Sequence, residues 1–345
     1  MPAPIFGSDL QITLAPQRGA FSIIEIVILV GCVLAAVTVT DRHIIDIMIR
    51  SFLWCGLALA WNIAGGYTGL ISFGHAAFFG IGAYTSTILL LSFGISPWLG
   101  MWAGAFLAAI LGALLTAVTA RVRGPFFVLS TLAFGEVVRI VALNWRSVTS
   151  GSEGLEISPV PTVADMVFKG QGPYLVLVLS YMLLLFALSI WMQRTRFGYN
   201  LFATRDDEDS AAAIGINPRR MRVSAMALSA ALTGVGGTLF AQYFLYLDPT
   251  HIIAPEISFQ FALICALGGL GTAIGPVLGA LIITPLSELL RGWLSAAASG
   301  LHLVIYGFAV IVVMLYFPSG IAGAITRMLD LSRFAGRRTD AEKQA

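Results

Sequence analysis

The sequence predicts an all-α fold, a polytopic membrane helical bundle with about ten transmembrane segments and discontinuous glycine-rich helices. Three observations lead to this prediction. Hydrophobic residues make up 58% of the 345 residues and charged residues 11%, whereas an ordinary soluble domain has about 45–50% and about 25%. The apolar residues fall in runs near the length of about 20 residues that a helix needs to cross a bilayer. Two stretches in these apolar surroundings contain clustered glycines.

The predicted spans cover residues 21–40, 44–64, 75–92, 98–120, 126–143, 174–192, 223–243, 259–290 and 302–317. A cleaved signal peptide is the alternative interpretation of the first run, but this run lacks a basic start and a small-residue cleavage site. The run 259–290 contains a break. It is therefore either two short spans or a re-entrant hairpin that folds back at residues 268–276.

The basic residues orient these spans, because lysine and arginine collect on the cytoplasmic side of a membrane. Arginines cluster in the segment 194–222 and in the tail 318–345, and we predict that both are cytoplasmic. The loop 144–172 has few basic residues and is predicted to be periplasmic. Parity then places residues 1–20 in the cytoplasm, before a transmembrane domain over residues 21–317.

Two glycine-rich stretches interrupt the predicted helices. The first, GYTGLISFGHAAFFGIGAY, covers residues 66–84, and the second, GGLGTAIGP, covers residues 268–276. A broken helix in lipid is tolerated only where protein or water satisfies the freed backbone groups, and paired interruptions indicate a transport route. The alternative is close helix packing through small residues. The candidate route residues in these stretches are Gly69, Ser72, Gly74, His75, Gly268, Gly269 and Gly271.

His75 is the ionisable residue of the first stretch, and two roles are open for it. Its side chain is expected to be neutral, because an apolar setting disfavours the charged form. It either offers hydrogen bonds to a polar solute on the route or braces a helix end near the cytoplasmic face.

Glu136 and Arg139 are the other candidate route residues. They lie in the run 126–143, and their spacing of three places them on one face of a helix. An unpaired charge at the bilayer centre costs about 2.5–3.5 kcal/mol on insertion scales, so we expect the two side chains to pair. The pair is either purely structural or part of the substrate route and its gate.

The sequence contains no pattern typical of an ATPase, a metal site or a cofactor site. Its lysines are Lys169 and Lys343, and neither lies in a GxxxxGK[ST] loop, whose lysine reaches the phosphates of a nucleotide. The cysteines and histidines are scattered, so we expect neither metal ligands nor catalytic residues. The net charge of +2 is too small to indicate nucleic-acid binding.

A short helix is predicted in the middle of the segment 194–222. Its acidic first turn, which suits the positive end of a helix dipole, consists of Asp206, Asp207, Glu208 and Asp209. Ala211 and the following alanines continue the helix, and Gly215 suits a left-handed stop. This helix is either part of a solvated loop or a docking element for a cytoplasmic partner.

Several motifs together resemble the LivM-type permeases of branched-chain amino acid ABC transporters. ATRDDEDSAAAIGIN, residues 203–217, is similar to the coupling loop of that family and departs from its pattern at Asp206, Ser210 and Ala212. The segments that resemble its other blocks, in the same order, are GYTGLISFGHAAFFGIGAY, STLAFGEVVRIVALNW, TSGSEGL and GGLGTAIGPVLGA. The matching coupling-loop positions are Arg205, Asp207, Glu208, Ala211, Gly215, Ile216 and Asn217. The resemblance covers residues 53–318.

The resemblance implies one permease subunit of an ATP-driven importer for branched-chain or related hydrophobic amino acids in a bacterial inner membrane. Its implied partners are two cytoplasmic ATP-binding subunits, a homologous second permease, a periplasmic solute-binding protein and the lipid bilayer. The implied ATPase-coupling residues are Arg205, Asp206, Asp207, Glu208, Ala211 and Gly215. The alternatives are a urea or short-amide importer, a sugar permease of the wider superfamily, and an ion-coupled carrier that acts alone.

Overall fold

The computed structural model describes residues 20–122, 124–294, 307 and 320–323. The chain divides into two units, Met1–Val39 and Thr40–Ala345. In the first unit, the described part contains the apolar helix α1, Ala20–Thr38. This confirms a helix at the first predicted span, residues 21–40.

The second unit opens with four long helices, α2 (Arg42–Gly65), α3 (His75–Phe93), α4 (Pro97–Val118) and α5 (Pro125–Asn144). Each coincides closely with a predicted span, and local chemistry explains where they start. The Asp41 carboxylate caps α2 by accepting hydrogen bonds from the amides of His43 and Ile44. Pro97 and Pro125 begin α4 and α5, where the missing proline N–H removes no hydrogen bond from the helix.

The next part of the chain begins with a short helix, turns and a strand. These elements are α6 (Arg146–Thr149), 3-10 turns at Gly151–Glu153 and Val163–Asp165, and β1 (Leu155–Glu156). The remaining helices are α7 (Gly172–Arg194), α8 (Arg196–Asp206), α9 (Glu208–Ala213), α10 (Pro218–Phe244), α11 (Pro249–Ile252), α12 (Pro255–Gly268) and α13 (Ile274–Leu294). Strand β2 (Tyr246–Leu247) pairs antiparallel with β1. The strands are two residues long, so the described chain is all-α as predicted.

Seven helices in the described part of the chain are long and apolar enough to cross a membrane. They are α2, α3, α4, α5, α7, α10 and the combined helices α11 and α12 over Pro249–Gly268. The apolar stretches Glu25–Thr38 and Ile274–Leu289 are shorter. The molecule is therefore a multi-pass membrane protein. The predicted span 302–317 and the predicted tail 318–345 lie outside the described residues, apart from residues 307 and 320–323, as does the segment 1–20 apart from residue 20.

Helices α2, α3, α4 and α10 form the centre of the second unit. The backbones of α3 and α10 touch, since a Cβ atom at Gly82 would lie 2.0 Å from Gly234 O, and one at Gly237 would lie 2.0 Å from Phe79 O. A Cβ at Gly104 of α4 would lie 3.0 Å from Gly82 O. Small residues permit this close approach of membrane helices. Gly82, in the first glycine-rich stretch, therefore serves helix packing.

Candidate functional site

The first glycine break, residues 66–74, joins the end of α2 to the start of α3. Its backbone groups find partners inside the protein. Trp61 Nε1 donates a hydrogen bond to Ser72 O over 2.8 Å, and Phe73 N donates to Thr131 Oγ1 of α5 over 3.1 Å. The break therefore meets the requirement that an interrupted helix in a membrane has its backbone satisfied by protein.

His75 is the first residue of α3, and its side chain has no exposed surface. Its Nδ1 lies 3.1 Å from Ser72 Oγ, and its Nε2 lies 2.8 Å from Ser229 Oγ of α10. The Ser229 hydroxyl donates its one hydrogen to Ala60 O over 2.7 Å, so it accepts a hydrogen bond from Nε2. These bonds fit a neutral imidazole that is protonated on Nε2 and accepts from Ser72 at Nδ1.

The His75 contacts connect three helices, because Ala60 belongs to α2, His75 to α3 and Ser229 to α10. Gly74 brings α5 to the same place, since a Cβ atom there would lie 2.5 Å from Thr131 O. Ser72, His75 and Ser229 are all fully buried. Of the two roles open for His75, this geometry favours the brace.

The second glycine break, residues 269–273, separates α12 from α13. Gly269 and Gly271 have φ angles of +127° and +76°, in the region that favours glycine. Gly268 lets the two helices touch, because a Cβ atom there would lie 1.8 Å from Gly275 O. The chain therefore turns back between two packed helices.

Asn62 connects the two breaks. This residue of α2 is fully buried, and its Oδ1 accepts a hydrogen bond from Gly271 N over 3.0 Å. Its Nδ2 donates to Thr272 O over 2.9 Å. A Cβ atom at Gly66 would lie 2.6 Å from Gly271 N, so the two break backbones are in direct contact. The glycines that the sequence places far apart thus form one site.

Arg205 reaches the same site from α8. Its Nη1 donates a hydrogen bond to Gly66 O over 2.8 Å. Its aliphatic stem covers Gly69, where a Cβ atom would lie 3.0 Å from Arg205 Cγ. Gly69 has a φ angle of +69°, so both its conformation and its neighbour favour glycine at this position.

Two helices, rather than one, occupy the centre of the segment 194–222. The prediction that Asp206 and Asp207 lie in the first turn of a single helix is wrong, because Asp206 ends α8 and Glu208 begins α9. Asp207 between them is extended, with φ −159° and ψ 115°. Its carboxylate accepts a hydrogen bond from Ser210 N over 2.7 Å. An aspartate in this position satisfies a free amide at a helix start, which explains why the interruption falls here.

The Asp207 cap also has an electrostatic consequence. The hydrogen bond from the Ser210 backbone amide stabilises the charged carboxylate, and this is the first cause of the lowered pKa of Asp207.

The start of helix α9 packs against the rest of the protein, whereas its end is exposed. Glu208 forms an ion pair with Arg222 of α10, and Ala211 is 2% exposed. Ile214 follows the helix with 75% of its surface exposed. Gly215 has a φ angle of +90°, which confirms the predicted left-handed stop.

Glu136 and Arg139 form the predicted ion pair on α5. Arg139 Nε donates to Glu136 Oε2 over 2.9 Å, and Arg139 Nη2 donates to Glu136 Oε1. The side chains are 38% and 25% exposed, respectively. The pair lies next to Gly135, whose Cβ would lie 3.6 Å from Gly74 Cα. It therefore belongs to the helix that packs on the first break, but not to the Asn62–Arg205 contacts.

A second charged cluster was not predicted as a site. Arg50 Nε donates to Asp46 Oδ2 over 3.0 Å, and Arg50 Nη1 lies 3.7 Å from Glu288 Oε1 of α13. Tyr243 OH also donates to Asp46, and the Arg50 guanidinium lies 4.9 Å from the centre of the Phe244 ring. The sequence does contain a sign of this cluster, because Asp46 and Arg50 are four residues apart inside the predicted span 44–64 and so lie on one face of a helix.

A cavity of about 490 Å³ adjoins the first break. Gly69, Leu70 and Ile71 form one wall, Val122 and Phe127 near the start of α5 form another, and Arg222 contributes a charge. Among the residues that the structure describes, no three histidine, cysteine, aspartate or glutamate side chains are grouped to hold a metal ion.

Comparisons with known proteins give a consistent result. A model of the family "Branched-chain amino acid transport system / permease component" matches residues 43–315. The chain is 27% identical to the high-affinity branched-chain amino acid transport system permease protein LivM of Escherichia coli (strain K12), over 87% of this chain and 75% of that protein. It is 23% identical to a probable LivM of Methanocaldococcus jannaschii, over 80% of this chain and 93% of that protein. It is 25% identical to LivH of Escherichia coli (strain K12), over 77% of this chain and 90% of that protein. No solved structure gives a significant match.

Proposed function

This chain belongs to the family of branched-chain amino acid transport permeases, and from that premise we propose that it is one membrane subunit of an ATP-driven importer in the bacterial inner membrane. The proposed solutes are branched-chain or related hydrophobic amino acids. The family makes the chain a transport subunit and not an enzyme. Hydrolysis of ATP is assigned to partner subunits, because the chain has no GxxxxGK[ST] loop.

Two cytoplasmic ATP-binding subunits are proposed to dock on α9. The contacts of α9 support this proposal, since Glu208 and Ala211 hold it against the protein while Ile214 is 75% exposed. An exposed apolar residue at the end of a supported helix suits insertion into a groove of a partner. The proposed coupling residues are Arg205, Asp206, Asp207, Glu208, Ala211 and Gly215.

Helix α5 is proposed to line the solute route, opposite a homologous second permease. Glu136 and Arg139 are partly exposed in an otherwise apolar span. A charged pair is costly against lipid but is hydrated in a water-filled route between two permeases. A periplasmic solute-binding protein would deliver the solute to the outer end of this route.

The position of the route is testable by the access of water-soluble reagents. Val137 on α5 and Leu184 on α7 are 58% and 61% exposed, so they form a matched pair. A charged thiol reagent should modify Val137→Cys in the assembled complex and should leave Leu184→Cys, expected to face lipid, unmodified. If the reagent modified neither cysteine, the proposal that α5 lines the route would be wrong.

The glycine breaks are proposed to support the route from its cytoplasmic end. Gly69 borders the cavity beside α5, whereas Ser72, Gly74 and His75 are buried and are assigned to bracing. Gly268, Gly269 and Gly271 are assigned to the turn between α12 and α13. The segments 194–222 and 318–345 are proposed to be cytoplasmic and the loop 144–172 periplasmic, with about ten crossings in all.

The family match over residues 43–315 is the observation that carries this proposal. A test is uptake of radiolabelled leucine by a bacterial strain without its own leucine importers, supplied with this chain, its ATP-binding subunits, the second permease and the solute-binding protein. We expect leucine uptake that disappears when this chain alone is omitted. Uptake of radiolabelled urea but not leucine would replace the proposed solute with the short-amide alternative.

A further inference from the structure

Arg205 contacts both glycine breaks and not only the first. A Cβ atom placed on Gly271 would lie 2.6 Å from Arg205 Nη1 and 3.1 Å from Gly66 O. The Arg205 guanidinium therefore lies where the end of α2 meets the turn between α12 and α13. The side chain is 17% exposed, so most of it is enclosed by these contacts.

Aromatic packing fixes the approach of α8 to this site. The Arg205 guanidinium lies 5.5 Å from the centre of the Phe202 ring, a distance at which a cation and a ring attract each other. Phe202 in turn packs edge-on against Tyr67 in the first break, with ring centres 5.1 Å apart. The end of α8 is thus held at the breaks by both its charge and its apolar surface.

The chain between Arg205 and α9 is very short. Asp206 follows Arg205 and is 65% exposed, and Asp207 then caps α9. Asp207 N donates a hydrogen bond to Ala203 O over 3.1 Å, so the connection remains bonded to α8. A displacement of α9 therefore acts on Arg205 through two intervening residues.

We propose that Arg205 is a positioning residue that connects α9 to both glycine breaks, so that movement of α9 by a partner displaces the first break at the end of α2 and the α12–α13 turn together. This inference rests on the proposed function, because that function supplies the ATP-binding partner. An arginine suits the role, since its planar group presents several donors in fixed directions and remains charged. Asn62 keeps the two breaks together from the α2 side, so they respond as one unit.

The test measures how many leucine molecules are transported per ATP hydrolysed by the complete complex in proteoliposomes. Arg205→Gln removes the contacts of the guanidinium, and Arg196→Gln removes an equal charge from an exposed side chain on the same helix. We expect Arg205→Gln to assemble and hydrolyse ATP while its leucine-to-ATP ratio falls at least about fivefold, the lower end of typical coupling effects. The ratio of Arg196→Gln should equal that of the wild type.

A second variant approaches the same contact from the opposite side. Gly271→Ala would place a methyl group against Arg205 Nη1, and Gly170→Ala is its control because Gly170 also has positive φ, +88°, with open space around it. Gly271→Ala should lower the leucine-to-ATP ratio and Gly170→Ala should not. Because Arg205 and Gly271 act through one contact, the double variant should lose less than the two separate losses combined.

The outcomes separate this inference from the proposed function. Failure of the wild-type complex to couple leucine uptake to ATP would contradict the proposed function itself. A wild-type complex that couples, together with unchanged ratios in Arg205→Gln and Gly271→Ala, would overturn the role of Arg205 alone. The role of Arg205 would also be overturned if the loss in the double variant equalled the losses of the two single variants combined. If both single variants fail to assemble, a structural role accounts for the contacts and the inference is rejected. If only Arg205→Gln fails to assemble, a lowered leucine-to-ATP ratio in Gly271→Ala supports the inference and an unchanged ratio rejects it.

Discussion

Asn62 accepts a hydrogen bond from the backbone amide of Gly271 over 3.0 Å, although the two residues are 209 positions apart in the sequence. The same side chain donates to Thr272 O over 2.9 Å. The Asn62 backbone carbonyl also accepts a hydrogen bond from Gly66 N over 2.8 Å, so both glycine breaks are bonded to this one buried residue of α2. The two breaks therefore form a single structural unit.

Removal of the Asn62 side chain should destabilise the protein. Asn62→Ala leaves the Gly271 amide and the Thr272 carbonyl without their buried partner, which costs about 1–3 kcal/mol. The midpoint of thermal unfolding in detergent measures this loss. Asn144→Ala is the control, because the Asn144 side chain bonds to Ile140 O at an exposed position, where a substitution changes stability by about 0.5 kcal/mol or less. Equal midpoints for the two variants would contradict the importance of the Asn62 bonds.

His75→Leu distinguishes bracing from solute contact. Because both ring nitrogens are bonded to buried serines, we expect the variant to lose thermal stability and assembly with its partners. The complexes that do assemble should transport leucine at the wild-type rate per complex. His75→Gln, which retains a donor and an acceptor, should recover part of the stability. A stable, fully assembled His75→Leu complex that hydrolyses ATP without transporting leucine would instead establish contact with the solute.

The transmembrane helices were predictable from the sequence because the bilayer sets their length. The runs 44–64 and 126–143 became α2 and α5 almost without change, and their boundaries carry visible signals in Asp41 and Pro125. Helix α8 was missed, since its residues, Arg196–Asp206, form no apolar run.

The contacts within the candidate site were not predictable in this way. His75 and Ser229 are 154 residues apart, and no local pattern records which serine meets an imidazole across two helices. Arg205 was predicted to couple with partner subunits, but its bond to Gly66, 139 residues away, depends on how α8 packs. Sequence periodicity specifies which face of a helix is apolar, whereas the choice of neighbour depends on the tertiary fold.

Gly215→Val should weaken coupling while the protein still inserts in the membrane. Gly215 has a φ angle of +90°, and a β-branched residue resists that geometry at a cost of about 1–2 kcal/mol. The end of α9 should therefore shift, and both leucine transport and its coupling to ATP hydrolysis should fall. Gly172→Val is the control at a glycine that has open space and no positive φ. Wild-type transport by Gly215→Val would argue against docking at this helix end.

The Asp207 cap should make α9 insensitive to pH near neutrality. The pKa of Asp207 is lowered in the folded protein. The charged cap therefore stabilises the folded protein fully above the ordinary aspartate pKa of about 3.9. This stabilisation is lost as the pH falls through the lowered pKa of the folded state. ATPase coupling should therefore stay constant between about pH 6 and pH 8 as far as this group is concerned. Asp207→Asn retains a capping oxygen and should keep coupling, whereas Asp207→Ala should reduce it. Equal coupling in the two variants would show that the cap is unimportant.

Labelling with a membrane-impermeant thiol reagent tests the orientation. Ser152→Cys should react from outside the cell and Arg219→Cys should not, because arginines cluster in the segment 194–222. The native cysteines Cys32, Cys55 and Cys265 are buried, so background labelling should be low. The reverse pattern would place α9 outside the cell and would exclude docking of ATP-binding subunits there.

The central claim is that this chain transports an amino acid with energy supplied by ATP in its partners. The most direct measurement is leucine accumulation in proteoliposomes that contain the complete complex, with the solute-binding protein and leucine outside and ATP inside. We predict accumulation with ATP and none with a non-hydrolysable analogue, whether or not a proton or sodium gradient is present. Accumulation driven by either ion gradient in the absence of ATP would contradict the claim and would identify an ion-coupled carrier.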